Sequence, residues 1–186
     1  MYRTLLLAII TGLFVACQPS APEAGISGIL TGAEGTSIYL ERYVNEKVVK
    51  TDSTTIAEDG SFSLNISPSM QFDYYRISVG EENFWVITDS TETLVINGDT
   101  KNLFEAQVSG SQNTMLLFDL SKLTKPMLES IGDIRQQLKT SGIAIGERTI
   151  LTNQLKTDMQ NLRQICLTFI KDNSASPAIL SACAML

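Results

Sequence analysis

Cysteine is the residue type here best suited to covalent chemistry, and the chain has Cys17, Cys166 and Cys183. Cys17 closes an apolar run that begins at Leu5, follows Arg3 and is interrupted only by Thr11-Gly12. The run ends Leu13-Phe14-Val15-Ala16. A short basic start, an apolar stretch and a small residue before a cysteine make a bacterial lipoprotein signal. Cleavage before Cys17 would leave a new N-terminal cysteine carrying acyl chains. The run is too short for a good membrane-spanning helix, so the expectation is a chain anchored to a membrane and not spanning it. Phe14 stands where such signals usually place Leu. The alternative is an ordinary secretory signal in which Cys17 is incidental.

Cys166 and Cys183 do not form a C-x-x-C pair, the usual spacing of a thioredoxin-type redox centre. An exported protein could join them in a disulfide, but both fall in apolar stretches of predicted helix. The preferred expectation is two buried structural thiols. There is no histidine, which removes Ser-His-Asp and Cys-His catalysis and His-containing zinc sites. No catalytic, cofactor-binding or metal-ligating residues are assigned. Asp52, Glu58, Asp59, Glu81-Glu82, Asp89, Glu92 and Asp99 sit at turn signals. None has the spacing of a calcium loop, so they read as solvated turn residues.

The chain of 186 residues carries a formal net charge of −6. Removing residues 1–16 takes away Arg3 and no acid, so the mature chain is more acidic still. An acidic surface without a basic cluster argues against a nucleic-acid partner. It gives no help with anionic headgroups, so attachment to a membrane would rest on the acyl chains.

The elements that would position these groups divide the chain. Residues 1–16 read as the signal and 17–25, with two prolines, as a flexible tether. Residues 26–110 carry strand chemistry, short runs of Ile, Val, Tyr, Phe and Thr between Gly, Asp and Asn. In Ser61–Ile66 the residues Phe62, Leu64 and Ile66 alternate with Ser61, Ser63 and Asn65, which predicts one buried and one wet face. Asp59-Gly60 before it reads as a positive-φ turn, which makes Lys47–Ala57 its expected hairpin partner. Further strands are expected at Gly28–Leu30, Ser37–Arg42, Tyr74–Val79, Asn83–Thr88, Glu92–Ile96 and Phe104–Val108, with a turn at Asn97-Gly98-Asp99. The whole suggests an antiparallel sandwich or a partly open barrel.

From 111 to 173 the period changes to that of helices. Leu116, Leu120, Leu123, Met127, Ile131, Ile134 and Leu138 form one stripe, with Pro126 read as a break or as the first turn of a second helix. Gly142 and Gly146 bracket a turn. Leu151, Leu155, Met159, Leu162, Cys166 and Phe169 form a second stripe, and the two are expected to pack as an antiparallel hairpin. Residues 174–186 begin a further helix, with Ser176 as N-cap and Pro177 at its first position. The chain stops on an apolar stretch, unusual for a natural terminus. The fold class is therefore α+β: a small antiparallel β-sandwich-like or partly open barrel domain followed by an α-helical hairpin.

The order of pieces carries a resemblance. A lipoprotein cysteine is followed by a Gly-x-Leu strand, Ser37-Ile38-Tyr39-Leu40, Asp59-Gly60-Ser61-Phe62 and Tyr74-Tyr75-Arg76-Ile77. Val108-Ser109-Gly110-Ser111 then leads into Asn113 and a helix, and Phe169-Ile170-Lys171-Asp172-Asn173 precedes Ser176-Pro177-Ala178. This resembles the N-terminal β-rich domain (DUF4369) and helical connector of TlpA-type thioredoxin lipoproteins of the Bacteroides group. In that family a thioredoxin domain with a Trp-Cys-x-x-Cys site follows, and it is absent here. The resemblance implies a noncatalytic module of a lipid-anchored periplasmic thiol-disulfide oxidoreductase, either a truncated product or fragment or a relative that lost its enzyme domain. Gln18 after the cysteine, by resemblance to sorting rules in other bacteria, favours the outer membrane. The competing reading is a stand-alone envelope lipoprotein whose β-domain binds a ligand or protein partner. A third makes Cys166 and Cys183 a redox pair.

Two further expectations follow. Asp52-Ser53-Thr54 and Asp89-Ser90-Thr91 resemble O-glycosylation sites of exported proteins in the same bacterial group, which makes Ser53 and Ser90 candidate acceptors near surface loops. Asn65-Ile66-Ser67 is a sequon on a predicted strand and carries no weight. Among Tyr39, Tyr43, Tyr74, Tyr75, Phe84 and Trp85, the neighbours Tyr74/Tyr75 and Phe84/Trp85 must face opposite sides of a sheet. One of each pair belongs to the core; the other is free to line an exposed face.

Overall fold

The computed structural model describes residues 24–45, 47–66 and 71–186. Cys17, the signal and nearly all of the tether lie outside these residues, as does Ser67 of the sequon. The β half contains β1 (Gly25–Thr31), β2 (Ser37–Val44), β3 (Lys47–Thr55), β4 (Ser61–Asn65), β5 (Asp73–Val79), β6 (Glu82–Thr88), β7 (Thr93–Asp99) and β8 (Gln107–Ser109). They form two four-stranded sheets, β4-β1-β7-β8 and β3-β2-β5-β6. Ile26, Leu64, Leu94 and Ile96 of the first sheet pack with Ile38, Leu40, Ile77 and Val86 of the second in one buried core. The β half is thus an open sandwich and not a closed barrel. Every pairing is antiparallel except β1 with β7, which is parallel.

Alternation worked as a guide to facing: Phe62, Leu64 and Ile66 are buried, and Ser63 and Asn65 are exposed. Pairing was less legible. The expected hairpin of Lys47–Ala57 with Ser61–Ile66 does not form. β3 pairs with β2 and β4 with β1, in different sheets. Asp59-Gly60 closes a local turn in which Gly60 N–H bonds to Ala57 O at 2.9 Å. Only Gly60 has a positive φ there, so the chain turns across from one sheet to the other. The real hairpin is β2–β3, turning at Asn45, whose φ is 49°. Asp52 links the two sheet edges by accepting Asn65 N–H at 2.6 Å.

The turn expected at Asn97-Gly98-Asp99 is also absent. That segment stays in β7 because β1 and β8 pair with Asn97 from both sides. Phe104 lies in a 3-10 segment, Thr100–Glu105, rather than in a strand. The side chain of Asp99 caps that segment, accepting from Lys101 N–H at 2.8 Å.

Helix α1 (Gln112–Leu138) and helix α2 (Ile145–Asp172) form the expected hairpin, and α3 (Ile179–Cys183) follows. Pro126 does not break α1, which runs through it. Pro126 and Lys122 are both exposed, so the helix bond that the proline removes falls on the solvent side of α1. Gly142 turns the chain at φ 88°, whereas Gly146 lies inside the first turn of α2. Ser176 Oγ accepts Ala178 N–H at 3.2 Å and closes a tight turn, but the α-helical segment begins only at Ile179. No described helix is long and apolar enough to cross a membrane.

The helices bury a second cluster against the outside of the sandwich. Ile87 of β6 joins Leu117, Leu120, Ile131, Leu162, Cys166 and Phe169 there. The attachment is polar at its edge. β6 ends its sheet, and the N–H of Ile87, which faces away from β5, bonds to Thr114 Oγ1 at 2.9 Å. Ile87 O accepts from Thr114 Oγ1 at 2.7 Å and from Ser111 Oγ at 2.8 Å. The first turn of α1 therefore occupies the free edge of the sheet, a position that would otherwise invite another strand.

Candidate functional site

The outer face of the β3-β2-β5-β6 sheet gathers the exposed aromatic and charged side chains. Strand alternation sends Tyr75, Ile77 and Phe84 into the core and Tyr74, Arg76 and Trp85 to the other side. Register places Glu41, Arg76 and Trp85 in one row across three strands. Arg76 Nε donates to Glu41 Oε2 at 2.8 Å, and Ser78 Oγ donates to the same oxygen at 2.7 Å. The Arg76 guanidinium lies 5.8 Å from the Tyr43 ring, and that ring lies 5.5 Å from Trp85, tilted by 33°. Lys50 covers Tyr39 at 3.7 Å. Tyr43 is 52% exposed and Trp85 36%.

α3 walls one side of this face. Tyr74 Oη donates to Pro177 O at 2.7 Å and lies 3.5 Å from Ser181 Oγ. Between them opens a hollow of about 390 Å³ lined by Tyr43, Asp73, Tyr74, Trp85, Leu180 and Ser181. A second hollow of about 300 Å³ shares Trp85 and runs to Phe104 and Phe118. Arg42 pairs with Asp73 at the sheet corner.

Burial and hydrogen bonding set the electrostatics of this face. Burial pushes the Tyr74 phenol up; hydrogen bonds with Ser181 oppose that, and the Cys183 charge adds to it. Burial likewise raises Tyr75, with Arg42 acting against it. Burial alone would raise the Glu41 carboxyl, but hydrogen bonds from Ser78 and Arg76 and the charges of Arg76 and Lys50 outweigh it and hold it below the usual range. A depressed carboxylate stabilises the fold above its unfolded pKa, about 4.3, and loses that contribution as pH falls through the folded value. Glu41→Gln is therefore expected to lose about 1 kcal/mol at neutral pH, a screened partly exposed pair. The gap from the parent should close below about pH 4. Urea unfolding across pH 3–7 measures it; a gap independent of pH would refute the assignment.

The two cysteines of the helical half separate. Cys166 is fully buried and Cys183 is exposed, and both are free. The expectation of two buried thiols thus fails at Cys183. Ala182 of α3 and its N-cap Ala178 are buried, one turn apart, and that turns Cys183 outward. Burial pushes the Cys166 thiol up, and the nearby Cys183 charge adds to this. Under native alkylation Cys183 is expected to react and Cys166 to stay unmodified until the protein unfolds. Cys183→Ser should remove the fast phase in a mass-resolved time course; rapid modification of Cys166 would contradict the packing.

Ser53 lies on edge strand β3, exposed, rather than in a loop, and its N–H bonds to Asp52 Oδ1 at 2.8 Å. Ser90 is half-buried in the turn after β6, where Asp89 Oδ1 accepts from Thr91 N–H at 2.7 Å. The two triplets share a sequence but not a setting. The turn carboxylates are similarly local: Asp59 accepts from Ser61 N–H and Asp99 from Lys101 N–H.

Sequence reasoning put one of Tyr74/Tyr75 and one of Phe84/Trp85 outside the core without choosing between them; the structure makes these Tyr74 and Trp85. It missed the Tyr43–Trp85 contact and the Arg76–Glu41 bond, which depend on which strands are neighbours. It also missed a basic cluster. Arg135 on α1 and Lys156 and Arg163 on α2 line one groove, although they are dispersed in sequence. Marking the cations that flank each apolar stripe would have found them.

In comparison with known proteins, the family described as "Domain of unknown function (DUF4369)" matches residues 25–117. No curated protein matches the chain.

Proposed function

Because the chain belongs to the DUF4369 family, we propose that it is a noncatalytic module of a lipid-anchored, thioredoxin-like thiol-disulfide oxidoreductase of the cell envelope. In this reading Cys17 carries the lipid, and residues 17–25 span from an outer membrane to the fold on its periplasmic side. The β half and helices hold an enzyme domain that follows residue 186.

The observation that carries the reading is the way the helices are fixed. Ser111 and Thr114 bond α1 to the edge of the sandwich, and Tyr74 and the Asn113–Ser176 contact of 2.7 Å hold the segment before α3. A connector secured at both places would orient whatever it carries relative to the sandwich.

A second reading rests on the exposed aromatic face around Tyr43 and Trp85. It makes the chain a stand-alone lipoprotein that binds a ligand or envelope protein there. The intact mass of the native protein, extracted with detergent from its own host, separates the two. A chain that begins at an acylated Cys17 and is larger by about one small domain is the expected result. An acylated chain ending at Leu186 would favour the stand-alone reading, and a mass without acyl chains would remove the anchor from both.

A further inference from the structure

The second apolar stripe is not fully covered. Met159 belongs to it by spacing, yet is 46% exposed, while its neighbour Asp158 is buried. Asp158 is held by Ser130 Oγ at 2.6 Å and by Gln154 Nε2 at 2.7 Å. Those bonds fix the hairpin register and rotate Met159 out of the interface, into a groove of about 550 Å³ walled by α1, α2 and the segment after α3. The size lies within the roughly 300–1,000 Å³ of small-molecule sites. Ile131, Leu155 and Met159 line its apolar part together with Met185 and Leu186 from the segment after α3, and no acidic side chain lines it.

Its charged residues are Arg135, Lys156 and Arg163. None of the three is in an ion pair among the described residues. In a chain of net charge −6 such a concentration is informative. Ser130 faces Asp158 across the antiparallel hairpin, so Arg135, just over one turn towards the loop, falls opposite the turn holding Thr152 and Lys156. Arg135 and Lys156 thus flank the loop end of the groove from opposite helices, and Arg163 lies towards the other end.

We propose that this groove binds a long-chain fatty acid, its tail along Ile131, Leu155 and Met159 and its carboxylate between Arg135 and Lys156. Charge complementarity selects the head, and the apolar side chains of the groove take the tail. The site is separate from the aromatic face.

The test is calorimetric titration of the purified full chain with oleate below its micellar concentration. Oleyl alcohol supplies the same tail without charge, and acetate the same head without a tail. One oleate per chain is expected, with at least tenfold weaker binding of either control. Arg135→Gln/Lys156→Gln should weaken oleate at least tenfold and leave oleyl alcohol unchanged, and Met159→Glu should abolish both. Lys171→Gln, on α2 outside the groove, should change oleate binding less than twofold. All these side chains border solvent, and circular dichroism checks that each variant is folded. Equal binding of oleate and oleyl alcohol, competition by acetate, no binding, or binding insensitive to the variants would each overturn the proposal.

Discussion

Gly110→Ala is expected to leave little folded protein. Gly110 joins β8 to the N-cap of α1 with a φ of 92°. An added Cβ would lie 1.8 Å from Thr93 O and 2.9 Å from Thr93 C. The left-handed backbone alone costs an L-residue about 1–2 kcal/mol. The contact is the larger problem, because the obstacle is backbone. Thr93 begins β7 and is paired with Gly25 of β1, so its carbonyl cannot move without moving the sheet. The alternative is to displace the loop, which would pull Ser111 and Thr114 away from Ile87. Either response should cost more than about 4 kcal/mol, in the range where single substitutions unfold small proteins. Gly132→Ala is the control. Gly132 lies in α1 with nothing within 4 Å of its added Cβ, and alanine there should gain up to about 1 kcal/mol. Urea midpoints report both, and a Gly110→Ala protein within about 1 kcal/mol of the parent would refute the close approach.

Thr114→Val is expected to be the most damaging change that preserves volume. Thr114 is fully buried, and its hydroxyl both accepts the Ile87 N–H and donates to the Ile87 carbonyl. Valine keeps the shape and removes both bonds. The carbonyl retains Ser111 Oγ, but the amide is left buried without a partner, for a total of about 2–4 kcal/mol. Ser111→Ala alone should cost less, since Thr114 still serves the carbonyl. Together they leave both groups of Ile87 unpaired, so the double variant should lose about 0.5–3 kcal/mol more than the sum. Exchange of the Ile87 amide proton should accelerate in Thr114→Val and not in Ser111→Ala. Additive losses with equal amide protection in both variants would show that these bonds do not hold the helix to the strand.

How much of this was visible beforehand follows from the range of the forces involved. Strand facing at Phe62, Leu64 and Ile66 and helix facing at Leu120, Ile131 and Leu162 are set by periods within one element, so they were legible. Strand partnership is set by residues far apart: β1 meets β7 some 68 positions along the chain, as Gly25 with Thr93. The local turn signal at Asp59-Gly60 was real, but a turn can cross between sheets as readily as close a ladder. Pro126 was misjudged because its cost depends on whether the freed carbonyl reaches water. Met159 was misjudged because one buried acid, Asp158, rotated the stripe. The aromatic face was half legible, through the opposed directions of Tyr74/Tyr75 and Phe84/Trp85. Its contact between Tyr43 and Trp85 was not, since that needs the order β2-β5-β6.

The parallel pairing of β1 with β7 sets an order of assembly. β1 is the first of the described strands in chain order, yet it lies between β4 and β7 in the interior of its sheet. β4 can join it early, but its other side stays open until residues 93–99 arrive. β7 in turn is flanked by β8, which leads directly into α1. The first sheet therefore cannot close piecemeal from the N-terminus. Folding that waits on such distant contacts is slow, on the order of milliseconds to seconds. During that interval a strand edge is exposed and prone to mispairing. A chain built this way gains from being kept extended until nearly all of its β half has been delivered.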